Sequence, residues 1–203
     1  MDLCDQNLKK IKDEVIVCRK CSLSQTRKCP VIGEGNHRAK IMFIGEAPGR
    51  QEDATGRPFC GAAGNILTEI LEAIGLKRAD VYIANILKCR PPNNRNPLSQ
   101  EITACVPYLD RQIEIINPSI ICPMGNFAAN YLIRKYHLED QAIQNGKIPG
   151  ITLLKARVFK ISNLDGSSLK IIPLYHPAVA TYNINLKPTL IKDYRIIIQS
   201  LSD

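Results

Sequence analysis

The sequence predicts an α/β fold in which strands and helices alternate around a mostly parallel sheet. Strand-like runs, apolar and rich in β-branched residues, occur at 40–45, 80–87, 119–122, 157–161 and 170–175. Segments with the periodicity of helices come around and between them, at 3–17, 62–74, 99–116, 125–136 and 188–201. The runs at 40–45 and 119–122 are apolar on both faces, which is typical of strands buried in a parallel sheet.

The length and composition predict one globular domain over residues 1–203. A chain of this length, with 45% hydrophobic and 23% charged residues, can bury most of its apolar surface around one core. The sequence contains no run of about 18 apolar residues, so no membrane-spanning helix is expected. The segment Met1–Asp5 lacks the apolar stretch of a secretion signal, so we expect a cytoplasmic, intracellular protein that is not secreted.

Local signals refine this prediction for one helix, one hairpin and one irregular segment. Ser99 is a candidate N-cap for the helix at 99–116. Pro107 lies inside that helix, where a proline typically costs about 3 kcal/mol, so we expect a kink or a helix start near Cys105. Asp165-Gly166 predicts the turn of a hairpin between the last two strands. The weakly patterned segment 137–156 is expected to be irregular.

The eight cysteines are more consistent with metal binding than with disulfides, because no secretion signal precedes them. Cys18 and Cys21 form a Cys-x-x-Cys pair, and Cys89 and Cys105 follow as a widely spaced second pair. Four thiolates can bind zinc or an iron–sulfur cluster. Structural zinc sites usually combine two closely spaced pairs, so this spacing favours a cluster, with zinc or no metal as alternatives. Cys29 could replace one of the four.

Glycine and polar residues follow several predicted strands, at the edge where open α/β sheets bind ligands. Gly45-Glu46-Ala47-Pro48-Gly49 follows the first strand, and Asn85 and His176 end two others. The carboxamide of Asn85 presents a donor and an acceptor that match the pairing edge of uracil, although it could equally cap a loop. Phe59, in a segment rich in glycine and proline, could stack on a base or anchor its loop in the core.

Six motifs occur in one order along the chain: Cys18-Arg19-Lys20-Cys21, Gly45-Glu46-Ala47-Pro48-Gly49, Gly56-Arg57-Pro58-Phe59, Asn85 with Lys88-Cys89-Arg90-Pro91-Pro92, Cys105-Val106-Pro107-Tyr108-Leu109 and His176-Pro177-Ala178. Together they resemble the type-4 uracil-DNA glycosylases, the iron–sulfur branch of that superfamily. The resemblance covers most of the chain, and Glu46 and Gly49 separate it from the type-5 relatives.

The resemblance implies a fold, a cofactor and a reaction. The fold would have three layers, α/β/α, around a four-stranded, mainly parallel sheet. A structural 4Fe–4S cluster on Cys18, Cys21, Cys89 and Cys105 would pack the N-terminal segment against the domain. A monomeric enzyme would flip uracil out of single- or double-stranded DNA and hydrolyse its N-glycosidic bond. Free uracil and an abasic site would remain, as the first step in base excision repair of deaminated cytosine. No lyase step is expected, because nothing in the sequence marks a lysine that would form a Schiff base.

The resemblance also implies roles for individual residues. The uracil pocket would be formed by Gly45, Glu46, Ala47, Glu52, Phe59, Asn85 and His176. Among these, Phe59 would stack on the flipped base, Asn85 would read its pairing edge, and Glu52 would exclude the methyl group of thymine. His176 would donate to uracil O2, and Glu46 would position the attacking water through its backbone or its side chain.

The charge of the chain suggests how it would meet DNA. A formal net charge of +8 and a pI of about 9.1 favour a polyanionic partner, although solubility alone could explain them. Arg90 and Arg95 are candidates for phosphate contacts. The family's usual residues after His-Pro-Ala are absent here, and Tyr182 is our candidate to fill the gap left by the flipped base.

Three other functions are compatible with parts of the pattern. A non-enzymatic nucleic-acid module would explain the charge and the cysteines, but not the clustering of Gly45, Asn85 and His176 at strand ends. A glycosylase for another base would share the same pocket. A redox iron–sulfur protein is disfavoured because the sequence has no flavin or nicotinamide motif.

Overall fold

A mixed sheet lies at the centre of the structure, a computed structural model that describes residues 2–144, 146–162 and 168–201. Its strands within these ranges are β1 (Glu34–Gly35), β2 (Ile41–Gly45), β3 (Tyr82–Asn85), β4 (Ile120–Pro123), β5 (Phe159–Ser162) and β6 (Ser168–Ile171). They are arranged in the order β1-β3-β2-β4-β6-β5. The inner strands β3, β2, β4 and β6 are parallel, whereas β1 and β5 pair antiparallel at the two edges.

The parallel centre confirms the predicted fold class, and the edge strands correct its size. A sheet of four strands was expected, and the described residues form six. The extra edge strand β1 has only two residues, Glu34 and Gly35, and therefore no hydrophobic pattern that a sequence could reveal. The antiparallel pairing of β5 with β6 agrees with the predicted hairpin, whose turn at Asp165-Gly166 lies outside the described residues.

Helices cover both faces of the sheet and agree with the predicted periodicity. Their bounds are α1 (Leu3–Val17), α2 (Arg50–Thr55), α3 (Ala62–Ala73), α4 (Ser99–Ile116), α5 (Asn126–Lys135), α6 (Glu139–Ala142), α7 (Ile151–Leu154), α8 (Val179–Tyr182) and α9 (Lys187–Leu201). The short helices α6 and α7 occupy the segment expected to be irregular. No helix in the described part of the chain is long and apolar enough to cross a lipid bilayer.

Helix α4 runs from Ser99 to Ile116 with Pro107 inside it, so the expected alternative of a helix start near Cys105 is wrong. Its N-cap is Leu98 and not Ser99. The carboxylate of Glu101, at the third helical position, accepts from the backbone N–H of Leu98 at 2.9 Å and so satisfies the donor of the N-cap residue itself.

Alternation along β2 divides the core into two layers. Met42 and Ile44 point to a face covered by α1, α4 and α5, whereas Ile41 and Phe43 point to a face covered by α3 and α9. All five β2 residues are buried. The parallel register places Gly45 of β2 opposite Asn85 of β3, so the C-terminal ends of the central strands meet at one edge.

Candidate active site

A cavity of about 470 Å³ opens at this edge of the sheet. Its walls come from the turn after β2, the α2–α3 segment, the end of β3, the loop that follows Cys89 and the segment after β6. The lining residues are Glu46, Ala47, Gly49, Glu52, Phe59, Ala63, Asn85, Asn94, His176, Ala178 and Tyr182. The structure therefore brings together every predicted pocket residue except Gly45, which lies directly behind two of them.

Gly45 is needed where it is because neighbouring side chains occupy the space of a larger residue. A Cβ atom on Gly45 would lie 2.3 Å from Asn85 Oδ1 and 2.7 Å from Phe59 Cζ. Asn85 is only 2% exposed, and its Oδ1 has no hydrogen-bond partner among the described residues. An unpaired buried acceptor is costly, so this atom is suited to a ligand that brings an N–H donor.

Phe59 forms one wall of the cavity in an unusual backbone conformation. Its φ of 50° lies in the left-handed region, which bulky residues rarely adopt. The ring is 6% exposed and stacks on the His176 ring with centroids 5.4 Å apart and planes 29° apart. Both roles considered from the sequence are therefore compatible with its position, because the ring is buried and also faces the cavity.

His176 is set up to be a neutral hydrogen-bond donor. The backbone N–H of Ala178 donates to its Nδ1 at 3.2 Å, so the neutral ring carries its proton on Nε2. Burial lowers the pKa of His176 to about 4, against the opposing influence of the Glu52 charge. The ring is therefore uncharged at neutral pH and keeps Nε2–H available for a ligand.

The two acidic residues of the cavity differ in their surroundings. Glu52 Oε1 accepts from the backbone N–H groups of Cys60 at 3.1 Å and Gly61 at 2.9 Å, which fixes this carboxylate at the beginning of α3. Glu46 is half-buried, and burial raises the pKa of its carboxyl group. Glu52 is therefore held by backbone donors, whereas Glu46 is the half-buried acidic side chain of the cavity.

The rim contains Asn94, which the sequence patterns did not single out, and lies near the three predicted DNA-contact candidates Tyr182, Arg90 and Arg95. Asn94 lines the cavity from the loop after Cys89 and has a left-handed φ of 54°, a turn conformation that its Pro-Pro-Asn-Asn context could have signalled. Tyr182 projects from the rim with 90% exposure. Arg90 donates to Asn94 Oδ1 at 2.8 Å, whereas both Nη atoms of Arg95 donate to the buried carboxylate of Glu101.

The four cysteines singled out by spacing converge beside α1 and α4. Burial raises the pKa of the Cys89 thiol, and the nearby Cys18 and Cys21 add to that effect. Burial also raises the pKa of Cys105 to about 11, with contributions from Cys89 and Cys21. Within the described residues, however, no three His, Cys, Asp or Glu side chains have the arrangement of a single-ion metal site.

Two donors reach the sulfur atoms of this group. Arg27 Nη1 donates to Cys89 Sγ at 3.2 Å, and its Nη2 donates to the carbonyl group of Cys18 at 3.1 Å. The backbone N–H of Lys88 donates to Cys105 Sγ at 3.2 Å. Cys29 lies elsewhere, against α2, where its thiol contacts the Ala54 carbonyl group at 3.9 Å.

Lys88 connects the cysteines with the cavity. Its side chain is 1% exposed, and its Nζ donates to the Asn85 carbonyl group at 2.9 Å and to Gln112 Oε1 at 2.6 Å. Burial lowers the pKa of this amine to about 8. Lys88, which precedes Cys89, thus holds the backbone of Asn85, whose side-chain Oδ1 is unpaired among the described residues.

Comparison with known proteins agrees with this architecture. The family model described as the uracil DNA glycosylase superfamily matches residues 32–196. This range includes every residue that lines the cavity. The matched range begins after Cys18 and Cys21, so the N-terminal Cys-x-x-Cys pair lies outside it.

Individual relatives extend the similarity to almost the whole chain. Type-4 uracil-DNA glycosylases from Saccharolobus solfataricus and Sulfurisphaera tokodaii are 47% and 48% identical, over 97% and 94% of this chain and 87% and 83% of their own lengths. That from Archaeoglobus fulgidus is 44% identical over 95% of this chain and 92% of its own. The chain therefore belongs to the uracil-DNA glycosylase superfamily and, within it, to the type-4 uracil-DNA glycosylases.

Proposed function

We propose that this protein removes uracil from DNA by hydrolysing the N-glycosidic bond, leaving free uracil and an abasic site. The observation that carries the proposal is the unpaired Oδ1 of buried Asn85, which faces a cavity that also contains the neutral His176. The names of the type-4 relatives support the same reaction. The biological role would be repair of deaminated cytosine.

Asn85 would distinguish uracil from cytosine by hydrogen bonding. Its Oδ1 would accept from uracil N3–H, and its Nδ2 would donate to O4. Cytosine presents an acceptor at N3 and a donor at C4, so both contacts would be lost and a buried polar group would stay unpaired. Phe59 would stack on the base, and Glu52, held at the start of α3, would close the wall beside C5 against the methyl group of thymine.

His176 would supply the main electrostatic contribution to catalysis. Flipping the base costs a few kcal/mol, and least for a mispaired uracil. As the glycosidic bond stretches, negative charge develops on uracil O2, and Nε2–H would donate to that atom. A neutral donor strengthens its interaction as the charge develops, which favours the transition state over the bound substrate. The bond from Ala178 N–H to Nδ1 would keep the ring in the required tautomer.

Water would then attack C1′ of the sugar, and we propose that Glu46 positions it. The raised pKa of this half-buried carboxyl group makes the side chain a possible acceptor for the water proton. The alternative is that its backbone positions the water, and Glu46→Gln separates the two: a backbone role predicts a nearly unchanged rate. No lysine is among the described residues that line the cavity, which supports hydrolysis without a Schiff base or a lyase step.

We propose that Cys18, Cys21, Cys89 and Cys105 bind a structural 4Fe–4S cluster. Cys18 and Cys21 raise the pKa of Cys89, and Cys89 and Cys21 raise that of Cys105, which supports a common site for the four thiols. Donors from Arg27 and Lys88 suit sulfur atoms that carry negative charge. Such a group would tie the end of α1 to α4 and to the loop after β3. Iron and sulfide in equal amounts in purified protein would support it, whereas zinc alone would overturn it.

We further propose that DNA crosses the rim near Arg90 and Tyr182, with the exposed tyrosine filling the gap left by the flipped base. Arg95 is a weaker candidate because Glu101 already binds its guanidinium group. Phosphate contacts would make binding fall as salt rises. Single- and double-stranded DNA remain candidate substrates. We expect a cytoplasmic protein that is monomeric, and size-exclusion chromatography of the holoprotein would test the oligomeric state.

One assay tests the reaction directly. The protein is incubated with labelled oligonucleotides that carry a single uracil, a thymine or a cytosine at the same position, and each product is treated with alkali. We expect cleavage at uracil alone and only after alkali. Binding without any cleavage would favour a non-enzymatic nucleic-acid module, and cleavage before alkali would contradict the absence of a lyase step.

A further inference from the structure

The loop that carries Phe59 is held from the side opposite the cavity. Arg78, in the short 3₁₀ turn Arg78–Asp80 before β3, donates from Nη2 to the Pro58 carbonyl group at 3.0 Å and from Nη1 to the Phe59 carbonyl group at 3.1 Å. Its guanidinium group does not line the cavity that contains Asn85. It lines a separate cavity of about 610 Å³ together with Glu34 and Arg57.

Phe59 requires such support because its backbone conformation is unfavourable. A left-handed φ of 50° in an aromatic residue persists only where the surroundings enforce it. Gly64 of α3 supplies the other side of the restraint, since a Cβ atom there would lie 1.8 Å from the Phe59 oxygen. The carbonyl group of Phe59 is thus held between Gly64 and the guanidinium group of Arg78.

The chemistry of Arg78 suits this task better than that of any other side chain. Its planar fork can donate to two successive carbonyl oxygens at once, which a lysine ammonium cannot do with the same geometry. Burial lowers the pKa of the guanidinium group, while the nearby Glu34 opposes that effect. Glu34 forms its own two-point ion pair with the exposed Arg57, at 2.9 and 2.7 Å.

We infer that Arg78 is a positioning residue for uracil excision, which acts by holding Phe59 where its ring can stack on the flipped base. Arg78 makes no contact with the base itself. Loss of the two hydrogen bonds to the Pro58 and Phe59 carbonyl groups would let Phe59 relax from its left-handed backbone conformation. Its ring would then leave the wall of the cavity. This inference rests on the proposed function, because it assigns a support to the stacking surface of that reaction.

The first arm of the test compares Arg78→Met with Arg38→Met. Both variants remove a cation, but only Arg78 binds the loop of Phe59, whereas the exposed Arg38 pairs with Asp2 and lines neither cavity. Excision is measured in single turnover with saturating enzyme on a single-stranded uracil oligonucleotide. Loss of a stacking contact lowers the fraction of bound DNA in which the base occupies the cavity by about tenfold or more, so we expect roughly that loss of rate for Arg78→Met and less than about twofold for Arg38→Met. An unchanged rate in Arg78→Met would overturn the inference.

The second arm shows whether Arg78 acts through Phe59. Arg78→Met is combined with Phe59→Ala, and the four rates form a double-mutant cycle. If Arg78 only positions the ring, it has no effect once the ring is absent, and the double variant is as slow as Phe59→Ala. If instead the rate losses of the two single variants multiply in the double variant, Arg78 acts independently of Phe59 and the inference is wrong. A general loss of folded protein would also give multiplied losses, so only positioning predicts a double variant no slower than Phe59→Ala.

Arg78→Lys keeps the experiment decisive if Arg78→Met does not fold. It retains the charge and one donor, so an intermediate rate is expected, and the same cycle with Phe59→Ala applies. Binding to uracil-free DNA should be unchanged in both variants, because Arg78 lies away from the rim. Absence of excision in the wild-type arm would instead count against the proposed function, so the two failures are distinguishable.

Discussion

The base cavity and the cysteine group differ in how their polar atoms are satisfied. In the cavity, Asn85 Oδ1 has no partner among the described residues, and Phe59 is held in a left-handed conformation. Around the cysteines, Arg27 and Lys88 donate to sulfur atoms, and Arg27 also donates to the carbonyl groups at the end of α1 and of Cys18. Unpaired polar groups and backbone strain are typical of substrate-binding sites, whereas satisfied hydrogen-bond networks are typical of structural elements.

This difference predicts that substitutions in the two regions affect different properties, the rate of excision and the stability of the fold. Changes to the polar groups of the cavity should lower the rate far more than the stability, because an unpaired group such as Asn85 Oδ1 contributes little to stability in the absence of substrate. Changes among the cysteines should lower stability and leave the rate of each folded molecule almost intact. Lys88 joins the two regions through Asn85 and Cys105, so the separation is expected to hold only while that residue is unchanged.

The largest effect on rate is expected for His176→Ala. Removal of one donor to a developing negative charge typically costs about 10²–10³ in rate, and the affinity for uracil-containing DNA should change far less. The matched control is His137→Ala, at an exposed position outside the cavity. Single-turnover rates and binding constants measured together decide the matter. Equal losses of rate and affinity would contradict a role in the transition state.

Cys89→Ser should have the largest effect on stability. If the proposed cluster binds there, Cys89→Ser removes one of its four ligands and weakens the connection between α1 and α4. Each kcal/mol lost lowers the melting temperature by about 2–4 °C in a chain of this size, and we expect a decrease on the order of 10 °C. The control Cys29→Ser removes a thiol that lies outside the group. Thermal unfolding and the rate per folded molecule are both recorded, and a variant of normal stability with a much lower rate would break the comparison.

Asn85→Asp should reduce uracil excision by roughly 10- to 100-fold, since a buried polar group left unpaired costs about 1–3 kcal/mol. The charged carboxylate can only accept hydrogen bonds, so the contact with O4 is lost. Asn36→Asp makes the same change at an exposed position and serves as control. Rates on uracil and cytosine oligonucleotides measure the effect, and unchanged kinetics on uracil would exclude Asn85 from reading the pairing edge.

The fold was predictable from the sequence because it depends on long regular patterns. The buried β2 and the helices α1, α3 and α9 follow apolar periodicity closely, since burial of those faces is what forms them. The edge strand β1 was not predictable, because two residues carry no period. Its place depends on pairing with β3, which is a property of the folded chain.

The site was predictable only in part, for the same physical reason. Strand ends could be located, so Gly45, Asn85 and His176 were expected at one edge. The place of Asn94 depends on a left-handed turn, and that of Arg78 depends on two backbone carbonyl groups far along the chain. Contacts of a side chain with distant backbone atoms leave no periodic signal, so they emerge only from the folded structure.

The smallest effect, and the sharpest test of the cavity's electrostatics, concerns the protonation of His176. Burial lowers its pKa to about 4, whereas the unfolded chain would titrate near the ordinary value of about 6.5. Its contribution to stability is therefore present above pH about 6.5 and is lost as pH falls toward 4, because the unfolded state binds the proton first.

An NMR titration of the His176 ring, assigned by comparison with His176→Gln, should give a midpoint well below that of an ordinary histidine. The difference in unfolding free energy between the wild type and His176→Gln should change over the same pH range. A midpoint near 6.5 would mean that the ring is charged at mildly acidic pH. A charged ring would interact strongly with ground-state uracil as well, so the preference for the transition state would then have to come from another group in the cavity.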